Sequence, residues 1–254
     1  MNSPTPLHGC FVTGTDTEVG KTRISAALLH WCAQQGWRSA GFKPVAAGTS
    51  LIDGHWVNED VRALRDASSL PLTDAEVGPC QFEAACAPHI AAALEGRTIE
   101  YAALAQSAKE MLSRADVVVV EGVGGFCVPL SPTADTSHIA CALGLPVILV
   151  VGLRLGCLSH AILTAEAIRS RSLPLAGWIG NTMDPEMPHL AANIASLRHE
   201  LDRRHQIPCL GIVPWLAEPS PAGVAAHLDN AALLHIFGKT SDNTSGNTSS
   251  NVPS

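Results

Sequence analysis

The chain has 254 residues, of which 23 are acidic and 16 are basic, so its formal net charge is −7 at pH 7. Hydrophobic residues make up 46% of the chain and aromatic residues only 4%, which predicts a folded protein with a mainly aliphatic core. The acidic balance argues against a nucleic-acid-binding protein, which would carry a basic patch or stripe.

The first half of the chain alternates strand-like and helix-like segments. Residues 24, 27, 28 and 31 are apolar at the spacing of one buried helix face, so we predict a helix from residue 21 to about 35. The other elements predicted in this half are strands at 10–13 and 39–45, a polar loop to about residue 58, and helices at 59–67 and 101–114.

The second half of the chain continues this alternation. Residues 117–120 are four consecutive valines, which is typical of a central parallel strand buried on both faces. Further strands are predicted at 146–151, 175–179 and 209–213, with helices at 136–143, 159–171 and 189–204. Strands spaced by helices predict an α/β fold with a mostly parallel central sheet flanked by helices. We expect one domain over residues 1–238, followed by a disordered polar tail at 239–254.

Export and membrane insertion are not indicated by the sequence. The N-terminal segment lacks a basic region followed by an apolar one, and the longest uncharged apolar run, residues 139–153, is too short to cross a bilayer. The eight cysteines form no CxxC pair and show no metal-ligand spacing. We therefore expect a cytoplasmic protein with reduced cysteines and without a membrane partner.

The strongest functional signal is GTDTEVGKT at residues 14–22, between the first predicted strand and the first predicted helix. In this context successive backbone N–H groups and the positive helix end bind phosphate oxygens. We expect Gly20 to let the backbone approach the ligand, Lys21 to reach the β- and γ-phosphates, and Thr22 to ligate Mg²⁺. Gly14 stands one position earlier than in the general GxxxxGK[ST] pattern.

Two acidic residues are candidates for further metal ligands. Glu121 follows the strand at 117–120, and ligands of open parallel sheets bind outside the carboxyl ends of the strands. Glu121 is therefore predicted to be the second metal anchor, although it could also be a carboxylate that faces solvent. Asp60 stands at the start of a predicted helix, where it could simply favour the helix dipole.

Lys43 ends the second predicted strand and would point towards the same edge of the sheet as the phosphate loop. A lysine at the end of a strand is usually solvated, so its position alone is a weak signal. Lys21 and Lys43 are two of only four lysines in the chain, and their strands look adjacent in the sequence. This concentration of positive charge would suit an anionic ligand.

Six segments, taken together and in this order, resemble the dethiobiotin synthetase family. They are FVTGTDTEVGKT (11–22), GFKPVAAG (41–48), VEGVGG (120–125), LPVILVVGLRLGC (145–157), AGWIGN (176–181) and VPWL (213–216). The resemblance covers about residues 9–235. The early glycine of the phosphate loop is that family's own form.

The resemblance implies a P-loop NTPase-like fold and an ATP-dependent enzyme of biotin biosynthesis. Members of the family join CO₂ to 7,8-diaminopelargonate. One amine becomes a carbamate, ATP phosphorylates the carbamate, and the second amine attacks the mixed anhydride with loss of phosphate, which closes the ureido ring of dethiobiotin. The implied partners are ATP, CO₂, the diamine and a second copy of the chain in a homodimer, and the implied cofactor is Mg²⁺.

The resemblance also implies a set of site residues. Lys21 and Lys43 are the implied catalytic residues, and Thr22, Asp60 and Glu121 are the implied Mg²⁺ ligands. The implied ATP-binding residues are Glu18, Val19, Gly20, Lys21, Thr22, Arg23, Asp60, Glu121, Gly122, Val123, Gly124, Asn181, Thr182, Pro214, Trp215 and Leu216. The implied diamine contacts are Thr17, Lys43, Ala47, Leu155, Gly156, Cys157 and Leu158. The segment 155–160 would begin a helix that faces the substrate carboxylate of the neighbouring subunit.

The chain departs from the family pattern at two positions. Ala47 stands where members often have serine, which removes a hydroxyl near the substrate, so we expect a modestly changed substrate affinity. Ser159 replaces a common asparagine in the helix that would receive the substrate carboxylate. One alternative is an amide-forming synthase of the same fold, which would need a glutamine-hydrolysing domain that this chain has no room for. The other is a partition-type ATPase switch. Such switches typically carry an extra lysine early in the phosphate loop, whereas residues 15–19 contain none.

Overall fold

A computed structural model describes residues 8–52 and 54–238, so the predicted tail at 239–254 lies outside the described residues. The strands are β1 (Gly9–Gly14), β2 (Ser39–Phe42), β3 (Val45–Ala47), β4 (Ser50–Ile52), β5 (His55–Val57), β6 (Cys80–Phe82), β7 (Val117–Glu121), β8 (Val147–Leu153), β9 (Leu175–Thr182) and β10 (Cys209–Val213). The helices are α1 (Lys21–Gln34), α2 (Glu59–Ala67), α3 (Asp74–Val77), α4 (Pro88–Leu94), α5 (Tyr101–Arg114), α6 (Thr136–Leu143), α7 (Cys157–Arg169), α8 (Leu190–His205), α9 (Pro221–Ala225) and α10 (Asn230–Phe237).

Six strands form a central sheet in the order β10-β9-β8-β1-β7-β2, and every neighbouring pair is parallel. The valines of β7 are fully or almost fully buried, as a strand covered on both faces requires. The predicted α/β fold with a mostly parallel sheet is confirmed. Since all six strands run the same way, their carboxyl ends meet at one edge of the sheet.

The order of the strands places helices on both faces of the sheet. The connection from β1 through α1 to β2 moves in one direction along the sheet, and the connection from β2 through α5 to β7 moves back. Because such crossovers are right-handed, α1 and α5 cover opposite faces. Helix α1 packs against α2 and α9, and α5 packs against α6. Across the described ranges 8–52 and 54–238, no helix is both long and apolar enough to cross a membrane.

The predicted strand at 39–45 is wrong in one respect, because it is divided between two sheets. Strand β2 ends at Phe42, and β3 pairs with β6 in a separate two-stranded sheet. At the break, the backbone N–H of Lys43 donates to the carbonyl of Val77 at 2.7 Å, and Pro44 has no N–H to donate. The chain therefore leaves the central sheet at Lys43.

The predicted loop before residue 58 is also wrong, because it contains the antiparallel hairpin β4–β5. Its facing residues Leu51 and Trp56 are both exposed, so the hairpin shows no buried apolar face that a sequence pattern could detect.

Most of the other predicted elements are present. The helices at 59–67, 101–114 and 136–143 and the strand at 209–213 have the predicted bounds. Helix α7 begins and ends two residues earlier than predicted. The short elements α3, β6, α4, α9 and α10 were not predicted.

Candidate nucleotide-binding site

The loop at residues 14–22 joins the buried strand β1 to helix α1, as the sequence predicts. Gly20 is the N-cap of α1 and has a φ of 89°, in the left-handed region. A Cβ on Gly20 would lie 2.3 Å from Asn181 Nδ2, at the end of β9. Glycine is therefore required here both by the backbone conformation and by the space available.

Lys21 begins α1 and is almost fully buried. Its Nζ donates to the backbone carbonyl of Asp16 at 3.1 Å, so the ammonium folds back over the loop. Burial and the neighbouring Lys43 ammonium lower the pKa of Lys21 to about 8, although the carboxylates of Glu121, Asp60 and Asp16 oppose this shift. The loop thus holds a cation in a place where an anionic ligand would stabilise its charge.

Thr22, Asp60 and Glu121 meet at the carboxyl edge of the sheet. Thr22 Oγ1 lies 2.7 Å from Asp60 Oδ1 and 2.8 Å from Glu121 Oε1, so its single proton can be donated to either carboxylate. Asp60 reaches this point because the Asn58 side chain caps α2, accepting from the backbone N–H of Asp60 at 3.0 Å and from that of Val61 at 3.3 Å. Asp60 therefore belongs to the site as well as to the first turn of a helix.

Lys43 is 2% exposed and completes this cluster. Its Nζ donates to Glu121 Oε1 at 2.6 Å, to Asp60 Oδ2 at 3.0 Å and to the Gly122 carbonyl at 3.1 Å. Burial lowers the pKa of Lys43, but the carboxylates of Glu121 and Asp60 outweigh burial and raise its pKa above the usual value. The expectation that a lysine at a strand end is solvated does not hold for Lys43, because two carboxylates lie within reach.

The strands that lead to the two lysines, β1 and β2, are not neighbours in the sheet, although they look adjacent in the sequence. Strand β7 lies between β1 and β2 in the sheet. Glu121, the last residue of β7, is fully buried between them. Strand β7 therefore supplies a carboxylate that interacts with both cations.

The oxygen atoms of Thr22, Asp60 and Glu121 form a donor set that fits a divalent cation. Mg²⁺ prefers carboxylate and hydroxyl oxygens, and it is usually bound through one or two carboxylates together with phosphate oxygens. Glu121 Oε2 is buried, and it has no hydrogen-bond partner among the described residues. An oxygen in that situation has a lone pair to offer to a cation. The residues that the resemblance implied as Mg²⁺ ligands are thus brought together by the fold.

A cavity of about 720 Å³ opens from this cluster. The phosphate loop, Lys43 and Asp60 contribute the polar part of its lining, and the rest of its wall is made of small apolar side chains. The residues that line the cavity are Thr17, Glu18, Gly20, Lys21, Thr22, Arg23, Lys43, Ala46, Ala47, Asp60, Ala85, Cys86, Ala87, Pro88, Val123, Gly124 and Val128. The residues at 85–88 could not be predicted as part of this wall from the sequence, because these small residues have no periodic apolar pattern. Pro88, at the first position of α4, was the one local signal of a helix start there.

Besides Val19, Glu121, Gly122, Asn181 and Thr182, two groups of implied site residues are not among those that line this cavity in the described part of the chain. Leu155, Gly156, Cys157 and Leu158 stand at the start of α7, where Leu155 is 91% exposed. Pro214, Trp215 and Leu216 follow β10, and Trp215 is half exposed.

Asn181 and Thr182 end β9, beside the phosphate loop. Asn181 Nδ2 donates to the Val19 carbonyl at 3.0 Å, and Asn181 Oδ1 is buried without a partner among the described residues. Asn181 therefore holds the phosphate loop from outside the cavity, and its amide oxygen is free to accept a hydrogen bond from a ligand.

Comparison with known proteins agrees with this fold. The model of the AAA_26 family, described as an AAA domain, matches residues 8–222. MinD in the MinC:MinD cell division protein complex of Aquifex aeolicus is 12% identical with a TM-score of 0.55, and the match covers 92% of this chain and 96% of that chain. MinD of the same organism is 14% identical with a TM-score of 0.52, covering 92% and 98%.

A chloroplast FtsY from Physcomitrella patens is 11% identical with a TM-score of 0.50, covering 94% of this chain and 67% of that chain. This chain thus spans about two thirds of the length of the FtsY chains that it matches. At these identities the likeness shows the fold alone, which is that of a P-loop NTPase.

Proposed function

We propose that this chain, which belongs to the AAA_26 family of P-loop ATPases, uses ATP to carboxylate an aliphatic diamine and close its ureido ring, as the dethiobiotin synthetases do. The observation that carries the proposal is the form of the cavity, which joins a phosphate loop to a wall of small apolar side chains. Lys43 lines the same cavity and is bound to Glu121. A nucleotide at one end and an aliphatic substrate at the other would bring the γ-phosphate and a carbamate together beside Lys43.

The proposed ATP site consists of the phosphate loop, which follows β1, and of residues at the carboxyl ends of β7, β9 and β10. Residues 18–23 would surround the phosphates, and residues 122–124 would leave room for them beside β7. Asn181, Thr182 and the segment 214–216 would frame the adenine. Thr22, Asp60 and Glu121 would hold Mg²⁺, which when bound neutralises charge on the β- and γ-phosphates. The buried, unpartnered Oε2 of Glu121 supports this part of the proposal.

The proposed reaction needs positioned charge more than it needs a nucleophilic side chain. One amine nitrogen adds to CO₂ and loses a proton, which gives a carbamate. A carbamate oxygen then attacks the γ-phosphorus and ADP departs, and finally the second amine attacks the carbonyl carbon and phosphate leaves. Negative charge develops on the phosphoryl oxygens and the carbamate, where the ammonium groups of Lys21 and Lys43 would stabilise it. Because its pKa is raised, Lys43 would act as a fixed cation and not as a base.

The diamine would lie along the apolar wall of the cavity. Thr17 and Ala47 line it, together with the residues at 85–88, and Ala47 offers a methyl group where a serine would offer a hydroxyl. The start of α7 does not line this cavity in the described part of the chain, and Leu155 is almost fully exposed. The exposure of Leu155 and Gly156 supports the proposal that the segment 155–158 serves the site of a second copy of the chain in a homodimer, whereas Cys157 is buried.

The alternative function is that of a partition-type ATPase switch. The likeness to MinD supports this alternative as much as it supports the synthetase, because it reports only the fold. The absence of a lysine from residues 15–19 and the apolar wall of the cavity favour the synthetase. A nucleotide switch has no need of a second, aliphatic substrate next to the γ-phosphate.

The experiment that tests the proposal measures phosphate release from ATP with Mg²⁺ and bicarbonate, in the presence and absence of 7,8-diaminopelargonate. We expect release to depend on both the diamine and CO₂, and we expect dethiobiotin to be detected by mass spectrometry. Phosphate release that is unaffected by the diamine would support the ATPase switch. Lys109→Ala, which changes an exposed lysine of α5, is a matched control for lysine loss outside the site.

A further inference from the structure

The phosphate-binding loop contains an acidic residue, Asp16, whose charge opposes that of a triphosphate. Its Oδ1 accepts the backbone N–H of Thr17 at 2.8 Å. Its Oδ2 forms an ion pair with Nη2 of Arg154. Its backbone carbonyl accepts from Lys21 Nζ at 3.1 Å. Asp16 therefore connects an arginine from another loop to the lysine of the phosphate loop.

Arg154 reaches Asp16 from the segment that follows the neighbouring strand of the sheet. Strand β8 pairs with β1, and the pairing continues into the loop, because the backbone N–H of Thr15 donates to the Val150 carbonyl at 3.0 Å. Arg154 comes directly after β8 and before the turn at Gly156, whose φ is 95°. Both loops thus start from paired strands, which fixes the distance that the arginine has to span.

We propose that Arg154 is a positioning residue of the nucleotide-binding loop, acting through Asp16. It neutralises the Asp16 carboxylate, and it holds Asp16 so that its carbonyl orients the Lys21 ammonium. Residues 15–19 contain no lysine of their own, so Arg154 supplies a cation at this part of the loop from outside. Without it, the unpaired carboxylate would repel the phosphates of the nucleotide. The proposal rests on the nucleotide site and not on the identity of the second substrate.

The size of the effect follows from the exposure of the pair. The side chains of Arg154 and Asp16 are 48% and 46% exposed, so their interaction is screened by water and salt. Exposed ion pairs contribute modestly, and we expect removal of the arginine to weaken nucleotide binding about two- to fivefold. The effect is expected to shrink as ionic strength rises.

The test is a double-mutant cycle on nucleotide affinity, measured with a fluorescent ATP analogue and Mg²⁺. Arg154→Ala is expected to raise the dissociation constant, and Arg154→Lys, the matched control, is expected to stay near the wild type. Asp16→Asn keeps an oxygen that accepts from Thr17 but removes the charge. In the Arg154→Ala background it is expected to restore most of the lost affinity.

The outcomes separate positioning from a merely structural role. An unchanged dissociation constant in Arg154→Ala overturns the proposal. So does a loss that Asp16→Asn fails to reverse, and urea unfolding of the four proteins of the cycle and of Arg154→Lys shows whether such a loss follows from lower stability. A rise in the KM for ATP with an unchanged kcat supports positioning by Arg154. Since the binding assay contains no diamine, its result is independent of whether the proposed synthetase reaction is correct.

Discussion

Lys43 Nζ and Glu121 Oε1 lie 2.6 Å apart, and both side chains are buried. Burial of such a pair removes both charges from water, so the pair persists only because further contacts satisfy the ammonium and the carboxylate. Asp60 and the carbonyl of Gly122 do this for Lys43, and Thr22 does it for Glu121. The ammonium and the proposed cation site therefore share the carboxylate groups of Glu121 and Asp60, and this sharing has consequences that experiments can measure.

The first prediction concerns the role of Lys43 in the proposed reaction. Lys43→Ala is expected to lower the rate of the chemical step about a hundredfold or more, because it removes a fixed positive charge from the developing negative charge. The affinity for ATP is expected to change much less, since the phosphate loop itself is intact. Single-turnover phosphate release and a separate ATP titration measure the two quantities. An unchanged chemical step would show that the lysine has only a structural role, and Lys109→Ala is the control.

The second prediction concerns competition between Lys43 and a divalent cation. Both draw on the carboxylates of Glu121 and Asp60, so we expect Lys43→Met to tighten Mn²⁺ binding, measured without nucleotide by electron paramagnetic resonance. Coupling between linked binding events is commonly about 5- to 150-fold, which sets the expected range. Lys43→Arg retains the charge and is expected to bind Mn²⁺ as weakly as the wild type. Equal Mn²⁺ affinity in Lys43→Met and the wild type would contradict the competition.

Loss of Lys43 also leaves Glu121 buried and unpaired, which is expected to destabilise the fold by about 3–5 kcal/mol. A measurement on the unchanged protein avoids this difficulty. In the wild type, Mn²⁺ is expected to speed acetylation of Lys43, quantified by mass spectrometry, because the cation releases the ammonium from its carboxylates. The exposed Lys109 is the internal reference. A rate that Mn²⁺ leaves unchanged would count against the competition.

Part of this site could be predicted from the sequence, because local patterns determine it. The valines of β7 indicated a buried parallel strand, and parallel strands bring Glu121 and the phosphate loop to one edge. The burial of Lys43 could not be predicted, since it depends on Glu121 lying between β1 and β2 and on where α2 places Asp60. The wall at 85–88 and the hairpin β4–β5 carry no periodic apolar pattern, so their place in the fold is decided by tertiary contacts alone.

The third prediction concerns the pH dependence of nucleotide binding through Lys21. Its pKa is lowered to about 8, chiefly by burial, so the free protein begins to lose this cation as pH rises through that value. Bound phosphates favour the protonated lysine, and the affinity for ATP is therefore expected to be constant below about pH 8 and to fall above it. Lys21→Arg keeps its charge throughout this range and is expected to remove the decline. Affinity that stays flat from pH 7 to 9.5 in the wild type would contradict this interpretation.

The lowered pKa of Lys21 also affects the stability of the fold. Stability is expected to rise with pH, whereas the affinity for ATP is expected to fall. The folded pKa of Lys21 is below its unfolded value of 10.5, so the unfolded chain binds more protons between these two values. Stability contributed by this group is therefore expected to rise as pH increases from about 8 to 10.5. Lys21→Met is expected to be more stable than the wild type at pH 7, with the difference fading towards pH 10.5, as measured by urea unfolding. A stability difference between Lys21→Met and the wild type that does not vary with pH would show that packing, and not the charge of Lys21, causes it.

The last prediction separates two reasons for glycine in the phosphate loop. Gly20 and Gly36 both have a φ in the left-handed region, at 89° and 76°. A Cβ on Gly20 would lie 2.3 Å from Asn181 Nδ2, whereas a Cβ on Gly36 would have no atom within 4 Å. Gly36→Ala is therefore expected to cost only the backbone penalty, about 1–2 kcal/mol, with nucleotide affinity unchanged. Gly20→Ala is expected to cost more and to weaken nucleotide binding, because the Asn181 amide that donates to the loop has to move. Urea unfolding and ATP titration of both variants test this, and equal losses of stability would mean that Asn181 yields without cost.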